Sequence, residues 1–147
     1  MAAHLRRQIR EAAATALGAL ATTGANVFQS RTHELQDAQL PALRIYTNSE
    51  ALEISSMGLS RVIERDLDLV VEACAKESAD LDDKLDLIVQ EVEVALAGNQ
   101  GIGGAKWVQL KSIEIDMEGE AEKQVGVARM TFQVFYLAAL GAPDVAL

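Results

Sequence analysis

Along SADLDDKLDLIVQEVEVALAG, Ser78 to Gly98, the apolar residues Leu81, Leu85, Ile88, Val92 and Leu96 recur at steps of three or four. That is one stripe of a 3.6-residue period, and it predicts an amphipathic helix. Ser78 or Asp80 is placed to cap the first amides. Asp82 and Asp83 fall where the helix dipole favours negative charge. Gly98 is placed to close the far end in the left-handed conformation. Such a helix needs a surface to cover, and long alternating segments on either side supply it.

The same reading orders the rest of the chain. Residues 2–21 are Ala-rich, with Leu5, Ile9, Ala13, Ala16, Leu17 and Leu20 on one face, and predict a first helix ending at Thr22-Thr23-Gly24. Val27 to Arg31 predicts a short strand, and Pro41 opens a second one, Ala42 to Thr47. Asn48 to Gly58 is read as either a mobile hairpin or an ordered loop. Ser60 to Ala75 alternates strongly: Ile63, Leu67, Leu69, Val71 and Ala73 against Glu64, Asp66, Asp68 and Glu72, with Arg65 breaking the apolar side. Asn99 to Ala105 predicts a flexible Gly-rich loop. Trp107 to Glu118 is a strand whose apolar phase shifts, which predicts a β-bulge near Lys111-Ser112. Val125 to Ala138 is the last strand, with Met130, Phe132, Val134 and Tyr136 on one face. The expectation is one α+β domain over residues 1–140, order α-β-β-β-α-β-β. It has a mainly antiparallel sheet with two helices on one face, and a frayed tail over 141–147.

Composition narrows the function classes. Half of the 147 residues are apolar and few are aromatic, so the core is aliphatic. A net charge of −9 argues against gripping nucleic acid through its phosphates. The single cysteine, Cys74, has no partner for a disulfide within the chain. No apolar run reaches the length of a membrane span, roughly 18 residues. Glu11, Thr15, Thr22 and Thr23 interrupt the Ala-rich run after Arg6-Arg7, so it reads as a helix rather than a signal peptide.

Candidate catalytic groups are scarce. His4 and His33 have no neighbour at metal-ligand spacing. Cys74, among Val71, Ala73 and Ala75, reads as a small packed side chain. Gly101-Ile102-Gly103-Gly104 lacks the Gly-Lys-Ser/Thr ending of a phosphate loop. Asp80, Asp82, Asp83 and Asp86 lack the spacing of a calcium loop. No catalytic residue, cofactor or metal is expected. The acidic rows say more: Glu64, Asp66, Asp68 and Glu72 line one strand face, and Glu114, Asp116 and Glu118 line another, with Glu120 just beyond. Solvent exposure of one sheet face explains such rows, with Lys111, Lys123 and Arg129 as cross-strand partners. The functional alternative is a surface that repels polyanions.

Several features together carry a resemblance. They are the Arg-containing first helix, the entry Leu40-Pro41-Ala42-Leu43 running into Arg44-Ile45-Tyr46-Thr47, the strand Arg65 to Glu72, the helix start Leu81 to Asp86, and the ending Phe132 to Tyr136. In order and length over residues 4 to 138, the chain resembles the tail terminator (minor tail protein U-like) family of long-tailed bacteriophages. The resemblance implies a structural virion protein, not an enzyme. It implies a homo-hexameric ring on the head-proximal end of the tail tube. That ring ends tube polymerisation and contacts the tail tube protein and a head-completion or connector protein. It also implies a place in the neck of the virion, and in the host cytoplasm during assembly. Genomic DNA would traverse the ring without specific binding, and no membrane is involved. Glu64, Asp66, Asp68, Glu114, Asp116 and Glu118 are the candidates to face that lumen. Asn48, Glu50 and Met57, with Asn99, Gln100 and Ile102, are the candidates for subunit or partner contacts, in two loops expected to be loose in the monomer. The alternatives are another tube or neck protein, or a small cytosolic α+β enzyme or ligand-binding module.

Overall fold

The computed structural model describes residues 2–30, 32, 34–58, 61–76, 79–118 and 125–147. Its elements are α1 (Leu5–Leu17), β1 (Val27–Phe28), β2 (Ala42–Ile54), β3 (Val62–Lys76), α2 (Leu81–Ala97), β4 (Trp107–Glu118) and β5 (Val125–Ala139). The strands form one sheet in the order β1-β2-β3-β5-β4. All neighbours are antiparallel except β1 and β2, which run parallel. This is the expected α+β order, with the helices packed against the sheet.

The core forms because two helical stripes meet one strand parity. From α1 come Leu5, Ile9, Ala13 and Leu17, each one turn or so apart. From α2 come Leu85, Ile88, Val89, Val92 and Leu96. They pack on Leu67, Leu69, Val71 and Ala73 of β3 and on Ala128, Met130, Phe132, Val134 and Tyr136 of β5. The approach is close at Gly126, where an added Cβ would lie 2.7 Å from Leu85 Cδ1. Thr22 ties the exit of α1 to α2, its amide donating to Glu91 Oε1 at 2.9 Å and its hydroxyl donating to the same carboxylate.

The helix ends differ from expectation. Asp80 precedes α2 in a left-handed conformation and makes no side-chain cap, and Gly98 ends it right-handed. Ser78, the other cap candidate, lies outside the described residues. A missing cap costs about 1 kcal/mol. Five buried aliphatic side chains contribute roughly 1.5–3 kcal/mol each, so packing rather than capping sets this helix. Helix α1 is shorter than predicted and is capped by His4, whose Nδ1 accepts from the Arg6 amide at 3.1 Å.

Both long outer strands are bulged. In β4 the register shifts between Leu110 and Ser112, as the phase change predicted. In β2 a second shift falls between Thr47 and Glu50. The segment read as a hairpin or loop from Asn48 is therefore strand as far as Ile54, and β1 is only two residues long. The bulge returns Glu50, Leu52 and Ile54 to the helix side, in register with Leu67, Arg65 and Ile63.

Two further expectations are corrected. Residues 99–105 are not a loose loop. Ile102–Gly104 form a 3-10 turn, Ile102 and Ala105 are buried, and an added Cβ on Gly103 would lie 2.6 Å from Ile9 Cα. The tail over 141–147 is hydrogen-bonded rather than frayed. Leu5 donates to the Pro143 carbonyl at 2.8 Å, Gln8 Nε2 donates to Asp144 O at 2.9 Å, and Leu147 N donates to Leu137 O at 3.1 Å. The tail takes the place beside β5 that β4 does not reach, with Ala146 bridged to Ala138.

Candidate functional site

The acidic rows do meet on one face. Residues directly opposite one another across a ladder share a face. Asp66 opposes Phe135, Asp68 opposes Gln133, and Glu72 opposes Arg129. Glu114 opposes the same Arg129, and Asp116 opposes Val127. Each of these β5 residues alternates with the buried positions Ala128, Met130, Phe132 and Val134, so the face is the one away from the helices. Without the bulge after Leu110, the β4 carboxylates would have turned the other way. Glu118 ends β4, but its side chain lies outside the described part.

The face is not uniformly acidic. Glu72, expected in an open row, is buried and clamped. Its Oε2 accepts from Arg44 Nη2 at 3.3 Å and from Arg129 Nη2 at 3.4 Å. Tyr46 joins the cluster, and burial together with the neighbouring Glu72 carboxylate pushes its hydroxyl pKa upward. Arg129 also reaches Glu114 at 3.5 Å and Asp116 at 3.7 Å, and Lys111 reaches Asp68 at 3.5 Å. Ser49 Oγ donates to the other oxygen of Asp68 at 3.0 Å. A shallow cleft of about 510 Å³ opens over this cluster, lined by Arg44, Tyr46, Asn48, Glu72, Glu114 and Arg129. Glu64 and Asp66 stand apart from this ion-pair network; Glu64 lies opposite Glu53 across the β2–β3 ladder, like charge against like. Below them Trp107 and Phe135 stack with centroids 5.4 Å apart.

A second cluster lies on the helix side, and the residue pattern alone did not reveal it. Glu50, expected on an interface loop, is a residue of β2 whose side chain is only 6% exposed. Its carboxylate meets Arg6 at 3.4 Å and Arg65 at 3.5 Å and accepts a hydrogen bond from the Tyr136 hydroxyl. Arg65 also lies over the Tyr136 ring, 5.9 Å from its centroid. Burial and the Glu50 carboxylate push the Tyr136 hydroxyl far above its usual value. The break that Arg65 makes in the apolar row is thus repaired by Glu50 from the next strand. The signal available was the shift of apolar parity within β2, from Leu43 and Ile45 to Leu52 and Ile54.

The remaining candidates separate. Asn48 sits in the β2 bulge beside the Glu72 cleft. Met57 is 90% exposed in the turn that follows β2. Asn99 and Gln100 stay exposed but are tied to neighbouring backbone: Asn99 Nδ2 donates to Ala95 O at 2.9 Å, and Gln100 Oε1 accepts from Val108 N at 2.9 Å. Ile102 is core. Cys74 is a buried thiol. His4 is occupied as a helix cap, and His33 lies outside the described residues. Among the described residues, no three His, Cys, Asp or Glu side chains gather as a metal site, and no helix is long and apolar enough to cross a membrane. What the arrangement offers, among the described residues, is charge-patterned surface and open strand edges on β2 and β4.

No family model matches the chain, and no curated protein matches it. Among solved structures it is similar to a chain in the virion of a native gene transfer agent particle. The TM-score is 0.50 at 11% identity, over 90% of this chain and 95% of that one. At that identity the likeness establishes a shared fold, spanning nearly all of both chains.

Proposed function

We propose that this chain is a structural virion protein that caps the head-proximal end of a tail tube as a hexameric ring. The observation that carries the reading is the whole-chain likeness in fold to a chain of a gene transfer agent virion. It agrees with the terminator resemblance of the sequence. The ring ends tube polymerisation, and its exposed end receives a head-completion or connector protein. The sheet face away from the helices lines the lumen. DNA passes it without adhering, because exposed carboxylates repel phosphates. Glu64 and Asp66 carry most of that repulsion, since Asp68, Glu114 and Asp116 are partly neutralised by Lys111 and Arg129. The role is assembly rather than catalysis.

The same likeness also suits another tube or neck subunit, and polymerisation separates the two. Sedimentation and electron microscopy of the protein, alone and with tail tubes, test the reading. A terminator gives closed rings and caps, whereas a tube subunit gives long filaments.

A further inference from the structure

Two apolar strips on the helix side of the sheet lie beyond the helices. One is on β2, where Leu52 and Ile54 are 59% and 56% exposed. The other is on β4, where Ile113, Ile115 and Met117 are 41%, 51% and 42% exposed. Both belong to outer strands. The far side of β4 has no strand partner among the described residues, and β1 covers β2 only at Leu43 and Arg44. Each strip therefore pairs apolar side chains with unpaired backbone groups, a combination that invites strand addition.

The two strips cannot meet within one copy. Ile54 pairs with Ile63 at one end of the sheet, whereas Met117 pairs with Gly126 at the other. They sit at diagonally opposite corners of the same face. Their pitch is the same, alternate residues about 7 Å apart. On the helix side their rims are opposite in charge, although the other face carries carboxylates on both strands, Glu53 on β2 and Glu114 and Asp116 on β4. Beside Met117 is a cleft lined by Asp80, Asp82 and Asp83. Beside the β2 strip are the exposed Arg61, at the foot of the hairpin, and Arg6, which reaches Glu50.

We infer that β2 residues 50–54 of one copy add to β4 residues 112–118 of a second copy, joining the sheets of neighbouring subunits head to tail. The inference rests on the ring reading and names its interface. β2 and β4 run in opposite directions within the sheet, so the junction is antiparallel. Side chains on the same face become neighbours, which places Leu52 and Ile54 against Ile113, Ile115 and Met117. Joining opposite corners staggers adjacent sheets along their strands. Tilting the strands against the ring axis absorbs that stagger, as barrel closure does. The contact is heterologous, as a ring requires. It also keeps the helices on one side of the ring wall and the acidic face on the other.

The test uses the full-length chain with Leu52→Asp and Ile115→Asp, each at an exposed position, with thermal melts to confirm folding. Under conditions where the wild type forms rings, each variant alone should stay monomeric. An equimolar mixture should stop at the dimer, because one intact strip of each kind remains. Oxidative cross-linking provides a second arm. Leu52→Cys combined with Ile115→Cys should give a covalent ladder, and either single variant should give none. Rings that persist in both Asp variants, or an Ile115→Cys dimer formed by itself, would overturn the strand assignment while leaving the ring intact. A wild type that stays monomeric at every concentration and on tail tubes would overturn both.

Discussion

Removing the Glu50 carboxylate leaves the Arg65 guanidinium uncompensated among apolar neighbours and strips the Tyr136 hydroxyl of its acceptor. Breaking a buried pair from one side costs about 3–5 kcal/mol. Glu50→Ala should therefore lower the urea midpoint strongly, whereas Glu53→Ala, on the exposed face of the same strand, should change stability by about 0.5 kcal/mol or less. Equal effects would contradict the burial of Glu50. His4 offers a pH-dependent check. Burial, and then the Arg6 charge, lower its pKa below the usual 6.5. The unfolded chain consequently takes up a proton before the folded one does. His4 then subtracts no stability above pH 6.5 and subtracts progressively more as pH falls below it. Melting temperatures of wild type and His4→Asn, which keeps a cap acceptor, should diverge on acidification, with the wild type falling further. Parallel curves would show that the histidine titrates as it would in the unfolded chain. Residues of this kind were only half legible in the sequence. Arg65 was visible as an interruption, but its partner lies across a ladder whose register depends on an unrecognised bulge.

At the scale of elements, periodicity was the reliable signal where burial is one-sided. The stripe of α2, the alternation of β3 and β5, and the β4 bulge all follow from residues that must face the helices. It failed where polar side chains are satisfied tertiarily. Asn48-Ser49-Glu50 looks like a loop because its polarity is repaid by Asp68, Arg6 and Arg65 from other elements. Asn99 to Ala105 looks flexible because three glycines suggest freedom, yet Gly103 is there to let the chain touch α1. Gly103→Ala meets both a left-handed φ of 58° and the Ile9 backbone. It should cost about 2 kcal/mol or more. Gly101, with φ of −94° and only the Ala105 carbonyl oxygen near its would-be Cβ, should tolerate alanine. Denaturation of the two variants measures the contrast. A harmless Gly103→Ala would mean that the turn does not dock.

For the whole molecule, the division into a helix-covered face and a carboxylate-bearing face was legible because alternation reports it directly. The neutralisation within the second face was not, because Arg44 and Arg129 converge on Glu72 only once the strand order is known. Under the proposed ring reading, that changes which charges would face passing DNA. Reversing Glu64 and Asp66 to Lys should slow DNA ejection from assembled particles without preventing assembly, and unchanged ejection kinetics would remove the lumen assignment. The diagonal placement of the two apolar strips is likewise a property of the sheet rather than of any segment, and it is what a self-closing assembly would use. Electron microscopy of the purified protein mixed with tail tubes separates a terminator from every other tail protein. A terminator gives closed six-membered rings seated at one end of each tube and no further growth there. Continuous filaments of this protein, or tube ends left bare at saturating concentration, would contradict the terminator reading.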